Sequence, residues 1–204
     1  YRIIDEDTGL DNTINEAYSI GGAAEGFSPL TMAAAYSGFA SGGYYTDPYS
    51  VTKIEYRETG EVVEFKPIKE RVMKDSTAFM INDMLRSAVK VGFHGGANVS
   101  GSVVAAKTGT SNFPDVVMKK YKLPSDAVND LWTIAYTSDY SVAVWYGYDK
   151  VTDGYNRSYE NYKNNVMSEV MKYIPKDTTG WKAPSSVTQV EIEKETWPAK
   201  RPSE

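Results

Sequence analysis

The sharpest chemical signal in this chain is Lys107-Thr108-Gly109-Thr110, which lies at the end of an apolar strand and leads into a turn-rich segment. A lysine there sets a fixed positive charge beside hydroxyls or carboxylates. Thr108 and Thr110 offer hydroxyl donors, and Gly109, lacking a Cβ, lets another backbone come close to the strand. An edge strand with those features can hydrogen-bond an extended peptide as one more strand. The backbone N–H of Thr110 could also point at a developing oxyanion, provided that a second donor lies opposite. The same four residues suit an ordinary strand end with a turn glycine, and a motif this short does not decide between the two.

The elements that must position this stretch can be read on either side of it. Ser28-Pro29 supplies an N-cap followed by proline at the first helical position, and Leu30, Ala33, Ala34 and Ser37 to Ala40 continue at helical spacing until Gly42-Gly43. Tyr49 to Tyr56 and Glu61 to Phe65 are β-rich runs separated by Arg57-Glu58-Thr59-Gly60, a hairpin with its turn at Gly60. Asp75 is placed to cap a second helix whose apolar stripe is Ala78, Ile81, Met84, Leu85 and Ala88, ending near Gly92. Ser102 to Lys107, Leu131 to Thr137 and Ser141 to Tyr148 read as strands of an antiparallel sheet, the last two joined by Ser138-Asp139-Tyr140. Tyr159 to Ile174 returns to helical spacing. Helices, then strands, then a closing helix make the class α+β, an antiparallel sheet flanked by helices. Residues 1–177 are expected to form the main domain. Residues 178–204 read as linker and tail, with Val187 to Ile192 as a small appended strand.

Composition narrows the function classes. At 204 residues and 41% hydrophobic content the chain can bury one sizeable core. Its net charge of -5, with lysines and arginines scattered singly, offers no stripe for a phosphate backbone, so nucleic acid is not an expected partner. No stretch approaches the ~20 apolar residues of a membrane span. With no cysteine there is neither disulfide nor thiol chemistry. The single histidine, His94, has no second histidine and no cysteine for a metal site, and reads as a solvated loop residue; no metal and no cofactor are expected. The sixteen tyrosines fit amphipathic packing rather than sugar stacking, and Glu191 to Glu195 reads as a solvated strand face. From Ser111 to Asp130 runs a connection longer than compact domains normally use without function, expected to overhang the site and shape access to it.

Several blocks, in order, resemble class A penicillin-binding proteins. Gly26-Phe27-Ser28-Pro29-Leu30-Thr31-Met32-Ala33-Ala34-Ala35-Tyr36 with Phe39-Ala40-Ser41-Gly42-Gly43 is similar to the family's G-x-S-P-L-x-M-A-x-A-Y…F-A-N-G-G. Pro48-Tyr49-Ser50-Val51-Thr52-Lys53-Ile54 resembles P-Y-x-V-x-K-I, and Ala106 to Asn112 resembles G-K-T-G-T-T-N with alanine where a glycine is common. Ala143-Val144-Trp145-Tyr146-Gly147-Tyr148-Asp149 resembles V-W-x-G-Y-D. The resemblance covers roughly residues 20 to 150 and implies part of the transpeptidase fold shared with serine β-lactamases. It implies an acyl-serine D,D-transpeptidase acting on peptidoglycan stem peptides that end in D-Ala-D-Ala, trapped by β-lactams, on the extracytoplasmic face of a bacterial membrane. In that scheme Lys107 sets the electrostatics of the proton relay and holds the substrate carboxylate with the Thr108 and Thr110 hydroxyls. Gly109 gives the substrate room, and the Thr110 N–H is half of the oxyanion hole.

The chain departs from the family at its nucleophile. A catalytic S-x-x-K at a helix start, followed by S-x-N, should precede K-T-G, and no S-x-N occurs here. Ser50-Val51-Thr52-Lys53 lies in a β-rich run, where residues three apart point to opposite faces. Ser87-Ala88-Val89-Lys90 has helical spacing but ends a helix. Tyr1-Arg2-Ile3-Ile4 reads as interior sequence. The expectation is a C-terminal piece whose partner is an N-terminal remainder of the same protein, carrying S-x-x-K, S-x-N and the membrane anchor, and which does not turn over alone. Two further readings stay open: a fragment of a serine β-lactamase or D,D-carboxypeptidase, and a non-catalytic wall-binding module.

Overall fold

Local chemistry sets where the first helix starts and stops. The structure, a computed structural model, describes residues 26–92 and 95–193, together with positions 18, 21, 198, 201 and 202. Helix α1 (Pro29–Ala40) opens on Ser28, whose hydroxyl accepts the Thr31 N–H at 3.1 Å. Such a cap contributes about 1 kcal/mol. Gly43 leaves the helix at φ 95°, and a Cβ there would lie 2.4 Å from the Met73 carbonyl oxygen, so only glycine fits.

Four short strands follow: β1 (Tyr44–Thr46), β2 (Lys53–Glu55), β3 (Val62–Glu64) and β4 (Lys69–Arg71). β2 and β3 form the expected hairpin, with Ile54 opposite Val63 and Gly60 at φ 71°. The paired stretch is shorter than the β-rich runs that signalled it. The β1–β4 ladder, with Tyr45 opposite Glu70, has no counterpart in the sequence reading, because three residues are too few to show a period of two.

In helix α2 (Asp75–Lys90) two expectations need correction. Asp75 is the first helical residue, with Lys74 at the cap position, and its carboxylate accepts the Ser76 N–H at 2.7 Å. The expected stripe is rotated, since Met84 is 59% exposed whereas Ala78, Asn82 and Val89 are buried. Asn82 belongs inside because its amide donates to Phe39 O at 2.9 Å and accepts the Tyr136 hydroxyl at 2.8 Å. Burial, reinforced by Tyr36, pushes the Tyr136 phenol up, so it stays a neutral donor.

The sheet is built from β5 (Ala105–Asn112), β6 (Ala127–Tyr136) and β7 (Ser141–Gly147), antiparallel in that order, with β8 (Asn156–Arg157) pairing to the start of β6. Helix α1 lies on one face, tied by the Ser141 hydroxyl donating to Ala33 O at 2.8 Å. Helix α4 (Tyr162–Tyr173) lies on the other, where Met167 and Met171 pack with Val89, Ala97, Val104, Ala106 and Ala135.

Several expectations change here. β5 begins at Ala105 rather than Ser102 and runs on to Asn112, so the K-T-G-T residues are mid-strand. The connection from Ser111 to Asp130 holds helix α3 (Asp115–Tyr121) and is not a bare loop. Val187 to Ile192 is not a strand. The stretch just before it docks on the sheet domain instead: Trp181 stacks edge-on against Tyr136 at 5.4 Å and donates from Nε1 to Ala40 O at 3.0 Å. Within the Glu191–Glu195 run, residues 191–193 are not strand, while 194 and 195, like His94 and Tyr1 to Ile4, lie outside the described residues.

Candidate active site

The K-T-G-T stretch sits on β5, which has β6 on one side and no strand on the other among the described residues. It is therefore an edge, and an edge strand presents unpaired backbone groups. Lys107 and Thr110 are exposed, and Thr108 and Gly109 half-buried. The Lys107 ammonium folds back onto the Thr108 carbonyl at 2.6 Å.

Directly opposed residues of an antiparallel pair share a face. Lys107 faces Ile134, Gly109 faces Trp132 and Ser111 faces Asp130, so Lys107, Gly109 and Ser111 project from the face that carries α1. Thr108 faces Thr133 and Thr110 faces Leu131, on the side covered by α4. The lysine and the two threonine hydroxyls therefore start from opposite faces, and a ligand meeting both must straddle the edge. The sequence reading, which grouped them by proximity, did not contain this division.

Glycines define what lies against the strand. A Cβ on Gly109 would come 3.2 Å from Trp132 Cβ, so the strand rides close over that tryptophan. On the other face Gly95, at φ 53°, packs so tightly that a Cβ would lie 2.7 Å from Thr108 Cγ2 and 2.8 Å from Thr133 Oγ1. Thr133 in turn donates to Asn164 Oδ1 at 3.3 Å. Nothing but alignment to other proteins could have singled out Gly95 in the sequence, since its role comes from a contact between distant segments.

A second missed group lies one residue beyond the motif. Asp130 accepts from the Ser111 hydroxyl, from Asn129 Nδ2 at 2.9 Å and from Trp145 Nε1 at 2.9 Å. The pairing slips between Ser111 and Asn112, which face Asp130 and Val128, so Asn129 is the extra residue of a bulge. Asn156, fully buried, donates to the Asn129 and Tyr146 carbonyls at 3.0 and 3.1 Å.

The two serines of the Ser-x-x-Lys matches are elsewhere. Ser50 precedes β2, and its Lys53 pairs with Glu55 at 3.0 Å. Ser87 is exposed on the last turns of α2. A concavity of about 190 Å³ lies between α1, the β1–β4 ladder and the 138–141 turn, and Lys107 to Thr110 do not line it. Among the described residues no group of acidic, histidine or cysteine side chains could hold a metal ion. No helix among them is long and apolar enough to cross a membrane.

Comparison with known proteins gives this geometry a family. Residues 3–174 match the penicillin binding protein transpeptidase domain. The chain is 37% identical over 216 aligned residues to penicillin-binding protein 1A/1B of Bacillus subtilis (strain 168), covering 98% of this chain and 24% of that protein. It is 35% identical over 158 residues to penicillin-binding protein 1A of Streptococcus oralis, covering 74% of this chain and 24% of that one. It thus spans about a quarter of the length of these curated relatives. Among solved structures, the penicillin-binding protein PonA1 from Mycobacterium tuberculosis superposes with a TM-score of 0.57 at 23% identity, over 80% of this chain and 45% of that one. At that identity the likeness speaks for the fold, mixed helices and antiparallel sheet.

Proposed function

The chain belongs to the penicillin-binding protein transpeptidase family, and from that premise we propose that it forms the K-T-G-T wall of a peptidoglycan D,D-transpeptidase site. The observation that carries the reading is a β-edge at Lys107–Thr110 that no strand covers among the described residues, cationic on one face and hydroxyl-bearing on the other. An extended stem peptide ending in D-Ala-D-Ala adds to that edge as a further strand, with Gly109 leaving room for its backbone. The Lys107 ammonium swings from the Thr108 carbonyl to the substrate carboxylate and the proton relay, and the Thr108 and Thr110 hydroxyls meet the same carboxylate from the other side.

In the reaction a serine oxygen attacks the carbonyl of the penultimate D-alanine, and its proton passes through the relay to the departing amine. The C–N bond breaks and D-alanine leaves; an amine from a neighbouring strand then attacks the acyl-serine carbonyl, the ester C–O bond breaks, and the amine's proton passes back through the relay to the serine oxygen as the new amide forms. The Thr110 N–H stabilises the oxyanion, and loss of one such donor costs about 3 kcal/mol of transition-state stabilisation. Ser50 and Ser87 are unsuited to the attack, because residues 50–53 are not helical, so Lys53 is not brought back beside Ser50, and Ser87 sits exposed at a helix end. The nucleophile comes from polypeptide outside these 204 residues. Residues 1–177 are this part of the transpeptidase domain and 178–204 its C-terminal extension, with α3 shaping access to the edge. The whole protein works at the extracytoplasmic face of the cell membrane.

Fluorescent penicillin tests the reading, since β-lactams label the attacking serine covalently. The 204-residue chain is expected to stay unlabelled. The longer protein carrying the serine is expected to be labelled, and Lys107→Ala in it to slow labelling at least tenfold. A labelled serine within residues 1 to 204, or labelling indifferent to Lys107→Ala, would overturn it.

A further inference from the structure

Three strands of the sheet are tied together one residue beyond Thr110. Ser111 on β5, Asp130 on β6 and Gly147 on β7 stand in one row across the sheet. Trp145 lies over Gly147: a Cβ on that glycine would sit 2.7 Å from Trp145 Cζ2 and 3.0 Å from its Nε1. The missing side chain is what lets the indole N–H reach Asp130 Oδ1, at 2.9 Å. The other carboxylate oxygen, Oδ2, takes the Ser111 hydroxyl and the amide of Asn129. Asn129 is the bulge residue, and its carbonyl is held in turn by Asn156 at 3.0 Å.

Both oxygens of Asp130 thus accept from donors on β5, β6 and β7. Its effect is geometric. Among the described residues β5 is an edge strand with one hydrogen-bonded neighbour, and its ladder is interrupted immediately past Ser111. A strand end so placed is free to fray, and fraying would carry the Thr110 N–H with it. The carboxylate closes that end by a side-chain bridge where the backbone ladder slips. Trp132, 6.4 Å from Trp145 centroid to centroid, continues the support under Gly109.

Resting on the function proposed above, we propose that Asp130 is a positioning residue for the acyl-transfer step: clamped by Trp145, Asn129 and Ser111, it holds the Thr110 N–H where the oxyanion develops. Because an oxyanion donor acts in the transition state, displacing it lowers the rate of acylation and leaves ground-state affinity nearly unchanged. A misplacement of about 1 Å costs up to ~100-fold.

The test uses the longer protein containing the nucleophilic serine, with Asp130→Asn and Trp145→Phe. Asn offers an amide donor where an acceptor is needed, and Phe keeps an aromatic ring, smaller than the indole, but removes the indole N–H. The expected result is a 10- to 100-fold slower acylation by penicillin with the pre-acylation dissociation constant within about twofold, in variants that melt as single transitions. Unchanged acylation rates in folded variants would overturn the inference, as would a loss confined to affinity. In the 204-residue chain, hydrogen exchange at Ser111, whose N–H points to β6 when that of Thr110 points to the edge, should accelerate at least tenfold in Asp130→Asn; an unaltered rate would also overturn it. Wild-type longer protein that takes no label sinks the functional reading instead, and the exchange experiment still judges the clamp.

Discussion

Lys163 lies buried on α4 in line with Met167 and Met171, and among the described residues no hydrogen bond or ion pair meets its ammonium. Burial lowers its pKa from the ordinary 10.5. A lysine with a depressed folded pKa destabilises most at pH below that value, where folding must bury the charge, and the penalty fades as pH climbs toward 10.5. Lys163→Met is therefore expected to raise the melting temperature at pH 7, by on the order of 1 kcal/mol of stability, and the gain should shrink in melts near pH 10. A gain independent of pH would mean that packing, not desolvation, is responsible. Gly95 makes a second residue-scale case. Gly95→Ala drives a methyl into Thr108 and Thr133, so it should both destabilise the chain by about 1–3 kcal/mol and disturb the motif strand. Thr133→Ser, which removes one of the clashing methyls, should recover part of that loss in the double variant.

Among the elements, the segment after α4 is the one whose role changed most between sequence and structure. Pro175 to Ser186 has the composition of a linker, yet Asp177 and Trp181 bind it to the sheet. Burial by itself would raise the Asp177 carboxyl, but the N–H groups of Gly180, Ser138 and Thr179, with the Ser138 hydroxyl, hold it well below the usual carboxylate range. Its folded pKa being depressed, the stability it contributes is complete above its unfolded pKa near 3.8 and drains away as pH falls below that. Asp177→Ala should cost about 1–3 kcal/mol at pH 7, read by denaturant titration, and the difference from wild type should narrow below pH 3. Trp181→Ala, losing the Tyr136 contact and the Ala40 hydrogen bond, should cost about 2–4 kcal/mol and detach the segment to proteolysis. If protease cut 178–186 equally fast in wild type, the docking would be refuted.

For the whole molecule, α1, the antiparallel sheet and α4 form a layered body in which α4 is apolar on two sides. Met167 and Met171 face the sheet, while Val166, Val170 and Tyr173 form an outward stripe with exposures from 37% to 86%. An uncovered stripe of that kind favours association in water. The 204-residue chain by itself should sediment as a concentration-dependent mixture, and Val166→Glu with Val170→Glu should shift it toward monomer. A wild-type chain that stays monomeric at high concentration would count against this.

Ser28-Pro29, Gly42-Gly43 and the 57–60 turn show where sequence is decisive: caps, glycine φ and turn residues act within a few positions, so helix α1 and the β2–β3 hairpin were legible without coordinates. The K-T-G-T stretch was legible too, because residue type alone carries its charge, its hydroxyls and its missing Cβ. The rotated stripe of α2 was not, since Asn82 earns its buried place only from Phe39 and Tyr136, far off in the chain. Nor was the division of Lys107 from Thr108 and Thr110 across the strand, or the grip of Asp130 on Ser111 and Trp145, because both follow from strand register. Which residues stand opposite one another across a sheet is set by the packing of the whole molecule, and that is the information a linear sequence holds only implicitly.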